Sequence, residues 1–290
     1  MPEPLRRVAV LTKRHPPTTE PVLRELGRSA REWGIELLLP EREWVKHEAR
    51  EGEGFVHVGD DGIGGADACL VLGGDGTILR AMGRLIGTGV PTMGVNFGQV
   101  GFLAALKRET WREELPPILA GHYRVVELTT LEARHEGQRY QAVNDVVLSR
   151  VTPRHVLQLN YEVSGVHVGD MLCDGMIVAS PAGSTAYNLS CDGPLVVWDA
   201  HALVLNFIAP HSLGFRPLVL RPDHVVRVRN QSPDDEAEII VDGTIVGRLC
   251  CGHALEITTA APRARLLVKE GGSFYRNVEE KLFNRSRYAL

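Results

Sequence analysis

The stretch Ala68–Met82, ACLVLGGDGTILRAM, decides how this chain is read. A run of small and apolar residues ends in Gly-Gly-Asp-Gly-Thr, and an apolar segment with helical spacing follows. That order predicts a buried strand over Asp67–Leu72, a tight turn, and a helix over Thr77–Ile86. Such a turn offers backbone N–H groups unobstructed by side chains, next to a helix N-terminus, and this suits a phosphate chain. It also offers one carboxylate, Asp75. A carboxylate repels phosphates unless it takes a proton or holds a cation, so the segment points to phosphoryl chemistry.

The flanking segments repeat the alternation. Arg7–Leu11 reads as a strand. Thr19–Trp33 carries Val22, Leu23, Leu26 and Ala30 on one helical face, with Thr19 as candidate cap, Pro21 in the first turn and Gly34 at the end. Ile35–Leu39 and Val90–Val95 read as further strands, and Glu109–Ala120 as a joining helix. Strands alternating with helices predict an α/β domain with a parallel, Rossmann-like sheet over residues 1–121. Ligands of such sheets gather at the carboxyl ends of strands, where Asp75 and Asn96 fall.

Beyond residue 121 the pattern changes. Tyr123–Arg134, Tyr140–Ser149, Val156–Val163, Met176–Ala179, Pro217–Leu220, Val225–Val228, Glu238–Val241, Thr244–Leu249 and Ala254–Thr258 are short and strand-like, divided by turn residues such as Glu136-Gly137. They predict an all-β domain of stacked sheets over 122–264. Residues 265–290 form an aromatic and charged tail.

Composition narrows the class. The 290 residues are 44% hydrophobic and 23% charged, with a net charge of −4, which is a globular composition without the basic footprint of a nucleic-acid binder. The longest apolar run, Ala202–Pro210, is far short of a membrane span, and MPEPLRRVAVL meets Thr12, Lys13 and Arg14 before it resembles a signal peptide. A cytoplasmic protein with no nucleic-acid or membrane partner is expected. Five cysteines without framework spacing argue against secreted disulfides. Cys250, Cys251 and His253 lie close together, but no second ligand pair completes a set, so no protein-held metal is expected there. The acidic patch Asp234–Glu238 reads as a solvated turn.

Four further clusters stand out: Asn96–Leu103 (NFGQVGFL), Asn144-Asp145, Asp174–Ser190 (DGMIVASPAGSTAYNLS) and Asp242-Gly243. Each has a plain structural reading. Asp-Gly pairs form turns, and Ser184 or Thr185 caps a helix beginning near Ala186. Asn144-Asp145 resists that reading, because neighbours in a strand point to opposite faces; the pair lines a groove or ends a ladder.

With GGDGT, these clusters in this order resemble the NAD kinase family, over roughly residues 5 to 283. Gly193-Pro194, Phe274-Tyr275-Arg276 and Glu280–Phe283 extend the match. The resemblance implies an N-terminal α/β domain and a C-terminal all-β, NAD-binding domain, with the tail returning to the first. It implies phosphorylation of NAD at the adenosine ribose 2′-hydroxyl, giving NADP, with ATP or polyphosphate as donor. Asp75 is then the acceptor of the hydroxyl proton and Gly76 its partner in the turn. Phe97 belongs to the glycine-rich loop of the site. Asn144 and Asp145 contact adenine and ribose, and Ser184, Thr185, Ala186, Tyr187 and Ser190 line that pocket. Asp174 reaches NAD in a neighbouring subunit, so a homodimer or homotetramer is implied, and His155 falls where some members place a basic residue. Arg80, one turn beyond Gly76, can reach phosphate. Mg²⁺ or another divalent cation is carried mainly by the nucleotide phosphates, since no carboxylate cluster makes a dedicated cage. Leu172, Asp192 and Thr244 depart from the family pattern. A lipid or sphingoid kinase shares the GGDGT turn and is the alternative enzyme; a non-catalytic nucleotide sensor is the alternative outside catalysis.

Overall fold

The computed structural model describes residues 2–98, 101–152, 155–233 and 235–283. Gln99 and Val100 of the glycine-rich loop, Asp234 of the acidic patch and the end of the tail lie outside the described residues. The chain divides into two units: one holds the residues up to Glu127 and those from Ala264 onward, the other Leu128–Arg263.

In the first unit, β1 (Arg7–Thr12), α1 (Glu20–Trp33), β2 (Glu36–Pro40), α2 (Glu41–Lys46), β3 (Phe55–Val58), β4 (Ala68–Gly73), α3 (Asp75–Leu85), β5 (Thr92–Asn96), β6 (Leu106–Lys107) and α4 (Trp111–Leu119) follow one another. The strands are parallel in the order β3-β2-β1-β4-β5, with β6 beside the end of β5. Strands buried on both faces read as unbroken apolar runs, and Ala68–Gly73 is buried at every position. From β1 the chain builds outward first through β2 and β3, then on the other side through β4 and β5. The carboxyl ends of β1 and β4 therefore flank the point where strand order reverses, where open α/β sheets bind ligands. GGDGT sits there.

Elements of this unit that escape the sequence pattern include α2 and the edge strand β3, whose four residues alternate too briefly to register. Thr19 does not cap α1 with its side chain; its hydroxyl donates back to the Pro16 carbonyl at 3.1 Å. Gly34 does close the helix, in the left-handed region at φ 64° that glycine adopts without steric cost.

The remaining strands are β7 (Tyr123–His135), β8 (Gln138–Ala142), β9 (Asp145–Arg150), β10 (Leu157–Val163), β11 (Val166–Cys173), β12 (Gly175–Ala179), β13 (Leu203–Ile208), β14 (Leu218–Leu220), β15 (Val226–Asn230), β16 (Ala237–Val241), β17 (Thr244–Leu249) and β18 (Ala254–Lys269). Two short helices, α5 (Tyr187–Ser190) and α6 (Phe274–Val278), complete the set. Within the second unit, β14-β13-β12-β9-β16-β17 make an antiparallel sheet, and β11-β10-β15 with the start of β18 make another. One core cluster joins Leu148 and Val178 of the first sheet to Leu159, Val228 and Leu255 of the second. The opposite face of the six-stranded sheet is covered as well: Val147, Ile177 and Val204 pack with Cys191 and Val196 from the segment after β12. That double burial explains the continuous apolar runs of β9 and β12.

The predicted strand Tyr140–Ser149 is two strands, broken at Val143-Asn144. Asn144-Asp145 thus ends a ladder rather than sitting inside one. β13 is buried on both faces and so lacks an alternating pattern, while β11 is an edge strand with mostly exposed residues.

Candidate active site

Gly73 is the last residue of β4 and pairs with Asn96, the last of β5. The Phe97 N–H donates to the Gly73 carbonyl at 3.1 Å, and the Gly98 N–H to Asn96 Oδ1 at 2.8 Å, so the glycine-rich loop folds over the GGDGT turn. Gly74 is the N-cap of α3 and Asp75 its first residue. The Asp75 carboxylate does not cap this helix. It accepts the N–H of Phe102 at 2.5 Å and of Leu103 at 3.1 Å, clamping the far arm of the loop. Gly101 makes this possible: a Cβ there would lie 2.3 Å from Asp75 Oδ1. The two glycine motifs of the first unit are therefore one device, joined through Asp75.

The tail reaches the same place. Asn277 Nδ2 donates to the Phe102 carbonyl at 2.8 Å, and the Lys281 ammonium lies 5.0 Å from the Phe102 ring centroid. Burial pushes the Asp75 carboxyl above the ordinary range, against the opposing pull of the loop N–H groups and Lys281. Burial likewise pushes the Lys281 ammonium below its ordinary value, with Asp75 acting in the other direction. Beside them is a cavity of about 180 Å³, whose lining includes Lys107, Lys269, Arg276 and Lys281 with Glu270 and Glu280. Lys107 and Glu280 pair at 3.5 Å, and Lys269 holds Glu114 at 2.5 Å. Gly76 and Arg80 are exposed on α3, and Phe97 is half-buried with Arg108 above its ring.

The second unit builds its own polar centre. The Asp242-Gly243 turn between β16 and β17 has both residues in the left-handed region, at φ 46° and 76°. Asp242 points back across the sheet and accepts three backbone N–H groups: Val143 at 2.8 Å, Asn144 at 2.8 Å and Asp145 at 3.2 Å. Ser180 completes the cradle, its hydroxyl donating to the Val143 carbonyl at 2.6 Å and its N–H to the Asn144 carbonyl at 2.8 Å. A Cβ at Gly183 would stand 2.0 Å from that same Asn144 oxygen, so the SPAGST segment closes on the strand break only through glycine.

With the backbone of Asn144 and Asp145 fully engaged, their side chains are free for other work. Asn144 Oδ1 is shielded from solvent and has no hydrogen-bond partner among the described residues. Burial, then the nearby Asp242 carboxylate, pushes Asp145 up to about 7. An orphaned acceptor beside a carboxyl poised near neutrality is a polar pair prepared for a ligand.

The other candidates divide. Ser184 is fully buried and spends its hydroxyl on the Pro181 and Val196 carbonyls at 2.7 and 3.2 Å while accepting the Val196 N–H at 2.9 Å. Thr185 bonds back to the Ala182 carbonyl at 3.0 Å, so neither residue caps α5 with its side chain. Tyr187 and Ser190 are exposed and Ala186 half-buried. Asp174 pairs with Arg150 at 3.0 Å, and His155 with Asp235 at 2.7 Å. Asp192 occupies the left-handed region at φ 57°. Asp242, Ser180, Gly183 and Lys281 fall within the singled-out clusters, but the sequence assigned them no role in the site, and Asn277 was not noted at all. For Asp242 the local signal was of a turn, and its reach to Val143 was not encoded nearby.

Comparison with known proteins joins these two centres to one family. The model of the ATP-NAD kinase N-terminal domain matches residues 43–123, and that of the ATP-NAD kinase C-terminal domain residues 143–268. The NAD kinase of Geobacter sulfurreducens is 32% identical over 285 residues, 96% of this chain and 98% of that protein. The NAD kinase of Heliobacterium modesticaldum is 38% identical over 221 residues, 74% of this chain and 78% of that protein. Among solved structures, yeast NADH kinase complexed with NADH superposes with a TM-score of 0.85 at 22% identity, covering 97% of this chain and 88% of that one. An NAD kinase from Archaeoglobus fulgidus in complex with ATP gives 0.73 at 24% identity, covering 97% and 98%. These two show the likeness of fold.

Proposed function

The chain belongs to the NAD kinase family, and we propose that it transfers a phosphoryl group from ATP, or from polyphosphate, to the adenosine ribose 2′-hydroxyl of NAD, giving NADP. The observation that carries this reading is that the two matched regions hold Asp75 in its glycine clamp and the Asn144-Asp145 step in its cradle. The lipid-kinase alternative finds no support: every relative reported above is an NAD or NADH kinase.

A ribose hydroxyl is a weak nucleophile at neutral pH. An ionised carboxylate has about four lone-pair positions, and the loop N–H groups of Phe102 and Leu103 use two. Asp75 therefore keeps capacity to accept the 2′-hydroxyl proton while the clamp fixes its direction. In a loose phosphoryl-transfer transition state the proton moves late, and alignment with charge neutralisation supplies most of the rate. The cations around the cavity beside Asp75, Lys281 and Arg276 among them, are suited to donor phosphates. In the second unit, Asn144 Oδ1 accepts an adenine amine or ribose hydroxyl, Asp145 accepts from ribose, and the Tyr187–Ser190 turn covers the base.

A divalent cation would neutralise donor charge. We take this cation to be delivered on the nucleotide phosphates. We place the enzyme in the cytoplasm as a homo-oligomer, with Asp174 serving a neighbouring subunit's NAD. Mixing inactive Asp75→Asn and Asp174→Ala chains tests this: recovered activity supports shared sites, and none in proven mixed oligomers removes them. The central test incubates purified protein with NAD, Mg²⁺ and either ATP or polyphosphate, and reads NADP with an NADP-specific dehydrogenase. Folded protein that makes no NADP from either donor overturns the assignment.

A further inference from the structure

In the second unit, the turn joining β7 to β8 meets the turn joining β17 to β18. His135 and Glu136 come from the first and His253 from the second. One ligand atom from each lies within 4.8 Å of the others. We propose that these three side chains form a site for a borderline transition-metal ion such as Zn²⁺, which clamps the two turns together.

The geometry is prepared for this. His135 is buried, and its Nδ1 lies 3.1 Å from the Ala254 carbonyl. A carbonyl only accepts, so Nδ1 is the donor here and Nε2 is the nitrogen left on the Glu136 side. This is the outer hydrogen bond that orients metal-ligating imidazoles. His253 stands on a fixed backbone: its N–H donates to the Cys250 carbonyl at 3.1 Å, and its own carbonyl accepts the Asn230 N–H at 3.1 Å. Glu136 holds φ 49°, an uncommon place for a residue with a side chain, and carries its carboxylate between the two rings.

Distances fit as well. The Glu136 carboxylate lies 2.6 Å from His253 Nδ1 and 3.9 Å from His135 Nε2. Tetrahedral bonds of about 2.0–2.2 Å to nitrogen and oxygen give a ligand–ligand edge of roughly 3.4 Å, between those two values. Two imidazoles and one carboxylate favour Zn²⁺, Co²⁺ or Ni²⁺ over Mg²⁺ and Ca²⁺, and the exposure of His253 and Glu136 leaves the fourth position to water. The Cys250 thiol is directed to Glu236 at 3.4 Å and is not a member of the set.

The test uses the full chain without a histidine tag. Zn²⁺ is titrated against a chromophoric chelator, and Co²⁺ is followed by its visible absorption. One ion per chain is expected, with a Co²⁺ spectrum free of thiolate charge transfer and a rise in melting temperature on Zn²⁺ addition. His253→Ala and His135→Ala should each weaken binding by at least about tenfold, and a Cys250→Ser/Cys251→Ser chain should bind as the parent does. His253→Gln, which keeps a polar group on the turn, separates lost ligation from lost folding: it should melt near the parent temperature without Zn²⁺ and lose the Zn²⁺ response. Absence of binding by the parent, equal binding by His253→Gln, or binding abolished by the cysteine substitutions overturns the site.

Discussion

The two units solve one problem in opposite ways. Each must hold a stretch of backbone open at a strand end, and each uses an aspartate to gather the exposed N–H groups. In the first unit the gatherer is Asp75, the same residue proposed to take the hydroxyl proton. In the second it is Asp242, which gathers three N–H groups, while the side chains of Asn144 and Asp145 are the ones proposed to meet NAD. Framework and chemistry are fused in one residue on one side and divided among three on the other. Substitutions should therefore mix stability with function at Asp75 and separate them in the second unit.

The largest effect is expected at Asp75. Asp75→Asn keeps one oxygen for a loop N–H but loses the proton acceptor, and kcat should fall roughly 10²–10⁴-fold. Fusion of roles adds a second signature: the Phe102–Leu103 arm loosens, so melting temperature drops as well. A kcat within about tenfold of the parent, short of the general-base range, would leave Asp75 with the framework role alone. Gly101→Ala attacks the same clamp from the loop, driving a Cβ to 2.3 Å from Oδ1, and should reduce kcat with Asp75 intact.

Next is Asp242→Ala. Three N–H groups lose their acceptor, and since an unsatisfied buried donor costs about 1–3 kcal/mol, a loss of roughly 3–5 kcal/mol in denaturant stability is expected. A near-neutral change would show that the cradle is held by Ser180 and the sheet ladder instead.

A smaller, cleaner effect is expected at Asn144. Its side-chain oxygen bonds to no described residue, so Asn144→Ala should melt like the parent while KM for NAD rises about tenfold, with kcat little changed, as uniform binding is lost. A stability loss matching that of Asp242→Ala would erase the division of labour.

The smallest effect is the pH response of Asp145. Its folded carboxyl is pushed up to about 7, above the unfolded value near 3.9. The stability it contributes is full below about pH 4 and is lost as pH rises through about 7. Asp145→Asn removes that loss, so the variant should out-melt the parent by a few degrees at about pH 8, with the gap closing toward pH 4. A gap independent of pH would mean that the carboxyl is not held near neutrality. The same titration predicts tighter NAD binding by the parent as pH rises through 7, because the ionised form is the better acceptor.

How much of this is legible without the structure varies by element. β4 and α3 announce themselves, because an unbroken apolar run ends in the glycine turn and a helical period follows it. β13 does not, since LVLNFI has no period, nor does β11, whose edge position exposes most of its residues. The motif residues are legible as an inventory: Asp75, Asn144, Asp145 and Asp174 are visible in the chain. Their local duties are not. Ser184 looks like a pocket residue, and the structure shows its hydroxyl committed to Pro181 and Val196.

The amino-acid sequence by itself determined the α/β and all-β division, the phosphate-friendly turn and the family, because periodicity and short motifs are encoded within a few neighbouring residues. Only the tertiary structure decided which aspartate is framework and which is free. That choice rests on hydrogen bonds between distant positions: Asp75 to Leu103 across 28 residues, and Asp242 to Val143 across 99. A carboxylate's partners are set by which backbone N–H groups the fold leaves unpaired beside it, and no local pattern records that.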